Sequence, residues 1–87
     1  MITVLADGTF DGIHFGHIAH LLEARRLGDR LVVALATDEA IQQRKGPGHP
    51  RFPYAERAAM LQQLSCVDEV VPCVDGYQAI EVIHPQV

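Results

Sequence analysis

Positive charge and cysteine are scarce in this sequence, and long hydrophobic runs are missing. Lysine plus arginine number seven against eleven acidic residues, and Lys45 is the only lysine. A chain of net charge −4 has no broad basic face, which excludes a duplex nucleic-acid binder. The two cysteines, Cys66 and Cys73, form neither a C-x-x-C pair nor a dense framework. They read as reduced, part-buried small hydrophobes. No apolar run approaches the length of a membrane span, and MITVLADG lacks the basic start of a leader segment. The expectation is a cytoplasmic protein with no membrane insertion.

What is present is ordinary globular composition, 48% hydrophobic and 21% charged, in 87 residues. That length allows one small domain, residues 1–87, marginal unless it pairs with more chain or another subunit. The basic residues are unevenly placed. Arg44, Lys45, Arg51 and Arg57 stand close together with only Glu56 against them, so residues 44–57 carry +3 and leave −7 for the remainder. Such a segment fits either a solvated basic loop or a local site for a phosphorylated small molecule.

Periodicity gives the order β-α-β-α-α-β-α. Ile2–Ala6 is a buried strand closed by Asp7-Gly8. The stretch GTFDGIHFG, with three glycines and no period, is a loop. A helix follows from Gly16, with Ile18, Leu21, Leu22 and Ala24 inward and Gly28 suited to its C-terminal cap. Leu31–Ala36 is the second strand, Thr37-Asp38 a helix cap, and Asp38–Gln43 a short helix. Arg44–Pro53 is a loop rich in proline and glycine. Tyr54–Leu64 is an amphipathic helix offering Ala55, Ala58, Met60, Leu61 and Leu64 to the core. Val67–Val74 holds the third strand, and Gln78–Ile83 a last short helix stopped by His84-Pro85. Alternating strands and helices imply right-handed crossovers and a parallel sheet. The chain ends at Pro-Gln-Val, where such a domain would begin its next strand, so the expectation is the front portion of a longer protein.

In a doubly wound sheet, ligands bind beyond the carboxyl ends of the strands, and Gly8–His17 occupies that place. Its end is a helix N-terminus, whose free N–H groups and dipole favour a phosphate. Neither G-x-x-x-x-G-K-[ST] nor G-x-G-x-x-G is present. The loop offers His14 and His17 instead, spaced to aim both imidazoles at one point, where they can stabilise charge growing on a phosphorus centre. Gly16 between them leaves room for the phosphate. His20 extends the series, but no cysteine or acidic partner stands at ligand spacing, so no metal site is expected.

The run Gly8-Thr9-Phe10-Asp11-Gly12-Ile13-His14-Phe15-Gly16-His17 resembles the GTFDxxHxGH signature of the cytidylyltransferase-like nucleotidyltransferases. The glycerol-3-phosphate cytidylyltransferase and heptose-phosphate adenylyltransferase branches are the most similar. Arg26–Val33, Thr37-Asp38-Glu39, Arg44-Lys45-Gly46-Pro47, Glu56-Arg57 and Val67–Val71 extend the likeness along the chain. The resemblance implies a Rossmann-like, three-layer α/β/α parallel sheet, of which this is the N-terminal portion. It implies transfer of CMP or AMP from CTP or ATP to a phosphorylated polyol or sugar, with release of pyrophosphate. Magnesium would be carried by the triphosphate. His14, His17 and Lys45 would be catalytic. Gly8, Thr9, Phe10, Asp11, Gly16, Asp38 and Arg57 would bind the nucleotide or acceptor. Several of these have other uses. His14 and His17 can serve simply as loop and cap residues. Asp11 can brace a turn, Asp38 can cap a helix, and Arg57 can pair with Glu56 or Asp68.

One departure stands out. The family's later Arg-x-x-Gly-[Ile]-Ser-Thr segment does not occur in residues 1–87, nor do the strands beyond the first strand. This chain alone is therefore expected to bind nucleotide weakly and turn over poorly. The competing reading is a non-catalytic nucleotide-binding or interaction module. A first strand left as an open edge would favour a homodimer.

Overall fold

The computed structural model describes residues 2–74 and 80–83. Its elements are β1 (Thr3–Gly8), α1 (Phe15–Arg26), β2 (Arg30–Ala36), α2 (Asp38–Lys45), α3 (Tyr54–Gln62), β3 (Glu69–Cys73) and β4 (Ile80–Ile83). They build one sheet in the order β3-β2-β1-β4. β2 pairs parallel with β1 and with β3, and β4 pairs antiparallel with β1. The three parallel strands with their helices are the Rossmann-like α/β arrangement that the sequence implies.

Register explains the core. Val4 and Ala6 of β1 stand beside Leu31 and Val33 of β2, and Val33 stands beside Val70 of β3. Side chains two apart share a face, so one surface of the sheet is a continuous aliphatic layer. α1 lays Leu21 and Ala24 on it, α3 lays Ala58 and Leu61, and all four are buried. Each fully buried leucine contributes about 1.5–3 kcal/mol by leaving water.

Polar ties fix the strand ends. The Asp68 carboxylate accepts from the Leu31 amide at 2.7 Å, and Arg25 Nε lies 3.4 Å from the same oxygen. The Asp29 carboxylate accepts from the Ile2 amide at 2.7 Å, and Arg30 pairs with Glu69 across β2 and β3. Gly28 is required by close packing: a Cβ there would sit 2.7 Å from the Ile2 carbonyl. The α1 cap residue is Leu27 rather than the glycine.

The structure corrects several expectations. Ile80–Ile83 is a strand, where the sequence reads as a helix over 78–83; residues 78 and 79 lie outside the described ones. β1 is therefore covered on both sides instead of forming an open edge, and a strand does occupy its far side, though antiparallel. Leu22 and Met60 are exposed, as is Ala55, because the turns of α1 and α3 aim them away from the sheet. α2 runs two residues further than expected, which puts Arg44 and Lys45 in its last turn and leaves residues 46–53 as a strap.

Candidate functional site

β1 and β2 end side by side, Gly8 opposite Leu35, and the histidine loop leaves from that edge. Phe10 turns the chain with a positive φ of 47°, uncommon for a residue with a side chain, and is buried. Its ring packs over the strand end so closely that a Cβ on Gly8 would come within 2.6 Å of it. On its other side it meets His17 edge-on, with ring centroids 5.3 Å apart. Phe10 and Gly8 thus act as a pair under the histidines.

His14 is the N-cap of α1. Its Nδ1 accepts from the Gly16 amide at 3.0 Å, and His17 Nδ1 accepts from the His14 amide at 3.2 Å. The pair forms a capping box made of imidazoles. An Nδ1 that accepts carries no proton, so each neutral ring carries its proton on Nε2, available as a donor. The two rings stack with centroids 4.0 Å apart and planes tilted by 30°. Partial burial, and then the nearby His14 and His20, lower the His17 pKa from the ordinary 6.5, which keeps it neutral at neutral pH. Gly16 also has a use that its spacing does not suggest. A Cβ there would lie 2.8 Å from the His14 ring, so the glycine makes room for the cap itself.

Asp11 reaches neither its own turn nor open solvent. Its two carboxylate oxygens accept from the Arg51 and Phe52 amides, at 2.8 and 2.9 Å, forty residues along the chain. Burial pushes its pKa up, but these two N–H donors and the guanidinium groups of Arg51 and Arg57 outweigh that and hold it below 3.8. The bond fastens the strap, which includes a cis His49-Pro50 peptide, against the histidine loop.

A polar cleft of about 450 Å³ results, lined by Thr9, Asp11, Gly12, His14, His17, Lys45, His49 and Arg51. Five of the expected site residues meet there: Thr9, Asp11, His14, His17 and Lys45. His49 and Arg51 were not among the expected site residues; they lie in segments similar to branches of the family, and Arg51 is also one of the clustered basic residues. A second, mostly apolar cavity of about 540 Å³ lies on the far side of the loop, against α3, with Phe10, Ile13, Phe52 and Met60 in its wall.

Arg57 and Asp38 stand behind the cleft. Arg57 is 1% exposed. Its Nε donates to the Phe52 carbonyl at 2.8 Å, its Nη1 to the carbonyls of Thr9 and Ala36 at 2.9 and 2.8 Å, and its Nη2 to Asp38 at 2.6 Å. Its partner is Asp38, neither Glu56 nor Asp68, because α3 turns it inward beneath both loops. Asp38 also accepts from the Tyr54 amide at 2.9 Å, and the cap of α2 is Thr37, whose hydroxyl accepts from the Ala40 amide. Among the described residues, no three side chains of the His, Cys, Asp or Glu type converge as a metal site. No described helix is long and apolar enough to cross a membrane.

A family model described as cytidylyltransferase-like matches residues 5–86. The "Bifunctional protein HldE" of Photobacterium profundum is 51% identical over 69 residues, which cover 79% of this chain and 14% of that protein. Its counterparts in Aeromonas hydrophila subsp. hydrophila and Vibrio vulnificus are each 49% identical with the same coverage. The chain thus spans 14% of the length of these relatives. Among solved structures, a "lipopolysaccharide core biosynthesis protein from Thermoplasma volcanium GSS1" superposes with a TM-score of 0.74 at 40% identity, over 84% of this chain and 58% of that one.

Proposed function

The chain belongs to the cytidylyltransferase-like family, and from that premise we propose that its polar cleft holds the phosphates of a nucleoside triphosphate for nucleotidyl transfer. A phosphate oxygen of a phosphorylated polyol or sugar attacks the α-phosphorus. A new P–O bond forms, the bond from the α-phosphorus to the bridging oxygen breaks, and pyrophosphate leaves with that electron pair. The donor is CTP or ATP, entering as its magnesium complex with the ion carried by the phosphates. The attacking oxygen is already ionised at neutral pH, so the protein needs no strong base. Its work is positioning and stabilising charge.

One observation carries this reading. Both imidazoles have Nδ1 occupied, which leaves two Nε2–H donors at the N-terminus of a twelve-residue helix, with Lys45 on the same cleft. His14 and His17 donate to the α-phosphate as negative charge builds there, the helix end adds its dipole, and Lys45 offsets the charge of the leaving phosphates. The lowered pKa of His17 suits this use, since a neutral imidazole donates through Nε2 and no base is wanted. Thr9 and Gly12 shape the floor. A sugar-phosphate acceptor is supported by the relatives' names only as far as the word lipopolysaccharide in one of them.

The test is calorimetric titration of CTP and of ATP, with magnesium, into the unaltered chain and into a His14→Asn, His17→Gln double variant. Asparagine is a good N-cap, and glutamine at the third helical position completes a capping box, so this variant keeps the helix start while losing both imidazoles. We expect weak binding of one nucleotide, lost in the variant. Equal binding by both proteins, or no binding of either nucleotide, would remove the phosphate site from this loop.

A further inference from the structure

The cleft contains a guanidinium that the family signature does not name. Of the two arginines nearest the loop, Arg57 has spent its donors on Phe52, Thr9, Ala36 and Asp38. With four of its five N–H groups taken and the residue 1% exposed, it is not placed to meet a ligand. Arg51 is the reverse case. Its side chain is 69% exposed, and one N–H, on Nη2, donates to the Asp11 carbonyl at 3.3 Å. Nε stands 3.9 Å from the Asp11 carboxylate, the long limit of an ion pair. An exposed pair at that distance is worth little, so it does not by itself explain why the group stays at the cleft.

What places it there is backbone. Asp11 takes the amides of Arg51 and Phe52 on its two oxygens, and the Asp11 side chain is only 9% exposed. The strap is thereby splinted to the histidine loop at the residue that bears the guanidinium. Gly12 turns the loop beside it with a φ of 99°, which suits glycine, and the Arg51 Nη2 atom lies within ordinary contact of that turn, 3.5 Å from where a Cβ would stand. The Asp11 carboxylate stays ionised, and the two amide dipoles it accepts from offset part of its repulsion of an anion.

We propose that Arg51 is a phosphate-binding residue of this cleft and that Asp11 is its positioning residue. The inference rests on the phosphate-site reading above and deepens it, by assigning the second cation that a polyphosphate needs besides Lys45. A guanidinium presents a planar fork of donors, and one side of this fork is held by the loop while the rest is open to two phosphate oxygens.

The experiment uses inorganic tripolyphosphate, which isolates the phosphate site from any base or sugar contact, titrated calorimetrically at two salt concentrations. Arg51→Ala should weaken binding about ten- to a hundredfold, the range for a charge-assisted hydrogen bond, and flatten the salt dependence. Its thermal midpoint should stay put, since the side chain is exposed. Methylguanidinium added to Arg51→Ala should recover part of the affinity, which a purely structural role would not allow. Asp11→Ala should cost a similar factor, and the Arg51→Ala, Asp11→Ala double variant should bind no worse than Arg51→Ala alone. Should Asp11→Ala fail to fold, Asp11→Asn, which keeps one acceptor oxygen, serves the same comparison. Binding by Arg51→Ala within twofold of the unaltered chain overturns the assignment of Arg51. Full additivity in the double variant overturns the positioning role of Asp11. If tripolyphosphate binding is lost in the His14→Asn, His17→Gln variant yet kept in Arg51→Ala, the phosphate-site reading stands and this inference alone falls. No binding by the unaltered chain overturns both.

Discussion

Arg57 holds its guanidinium where water cannot reach, and three backbone carbonyls from three segments depend on it. Removing one partner of a buried, hydrogen-bonded ion pair costs about 3–5 kcal/mol, because the remaining groups stay desolvated. The Asp38 side chain is 37% exposed, so the low end applies. Arg57→Lys is therefore no gentle change: one ammonium cannot reach Phe52, Thr9, Ala36 and Asp38 together. We expect it to lower the unfolding free energy by about 3 kcal/mol, or roughly 10–20 °C in melting temperature for a domain of this size. An unchanged melting curve would show that the four bonds are incidental. The sequence left Arg57 open between phosphate binding and a surface pair, and it had no means to do better. Helical position is legible in a sequence, but the depth of one side chain beneath two loops is set by packing.

His17 makes a pH prediction at the same scale. Its folded pKa is lowered, mainly by burial, from the ordinary 6.5. As pH falls below 6.5 the unfolded chain takes up the proton first. The contribution of neutral His17 to stability is thus complete above 6.5 and is lost as pH falls through the folded pKa. Urea unfolding of the unaltered chain and of His17→Gln, from pH 7.5 to pH 5, should give a difference that shrinks toward acid. A constant difference would mean that His17 titrates normally. Asp11, also lowered, acts in a separate window: its contribution is present above 3.8 and is lost as pH falls through its folded value.

At the scale of elements, α1 and the strap decide whether the site exists. The spacing of His14 and His17 was legible as a phosphate motif, and a loop or cap role was open to them as well, but the reciprocal box they form was not, since histidine is an unusual N-cap and its ring nitrogens give no sign in sequence of which amides they accept. Cap and ligand roles separate by substitution. His14→Ala should cost about 1 kcal/mol of stability, and His14→Asn should recover most of it. Nucleotide binding should be impaired in both variants, because neither has an imidazole Nε2–H. Equal nucleotide affinity in His14→Asn and the unaltered chain would reduce His14 to a cap. The strap shows a similar division. Proline and glycine marked residues 44–53 as irregular, of which 46–53 form the strap, yet the strap's anchor is a carboxylate forty residues earlier. A signature residue that looks like a local turn device proves to be a long-range tie, which no reading of nearest neighbours in sequence can reveal.

For the whole molecule, three parallel strands were legible because Leu31–Ala36 is an unbroken apolar run between helical periods, the mark of a strand covered by neighbours. The fourth was not. Ile80-Glu81-Val82-Ile83 contains three β-branched residues in four and alternates in part, but so short an apolar run before His84-Pro85 serves equally as a helix end. Pairing with β1 decides between the two, and that is a tertiary fact. It carries a consequence that hydrogen exchange can read residue by residue. Successive amides of a strand point to opposite neighbours. If β1 lies between β2 and β4, Val4, Leu5 and Ala6 should all exchange slowly, each being shielded by a partner on one side or the other. If β1 were an edge, protection would alternate, with every second amide in that run exchanging as freely as an exposed loop. An alternating pattern would therefore remove β4 from the sheet and restore the open edge, and with it the physical case for a homodimer through β1. Uniform protection would leave β3 and β4 as the outer strands, and a dimer would then need a surface other than the flank of β1.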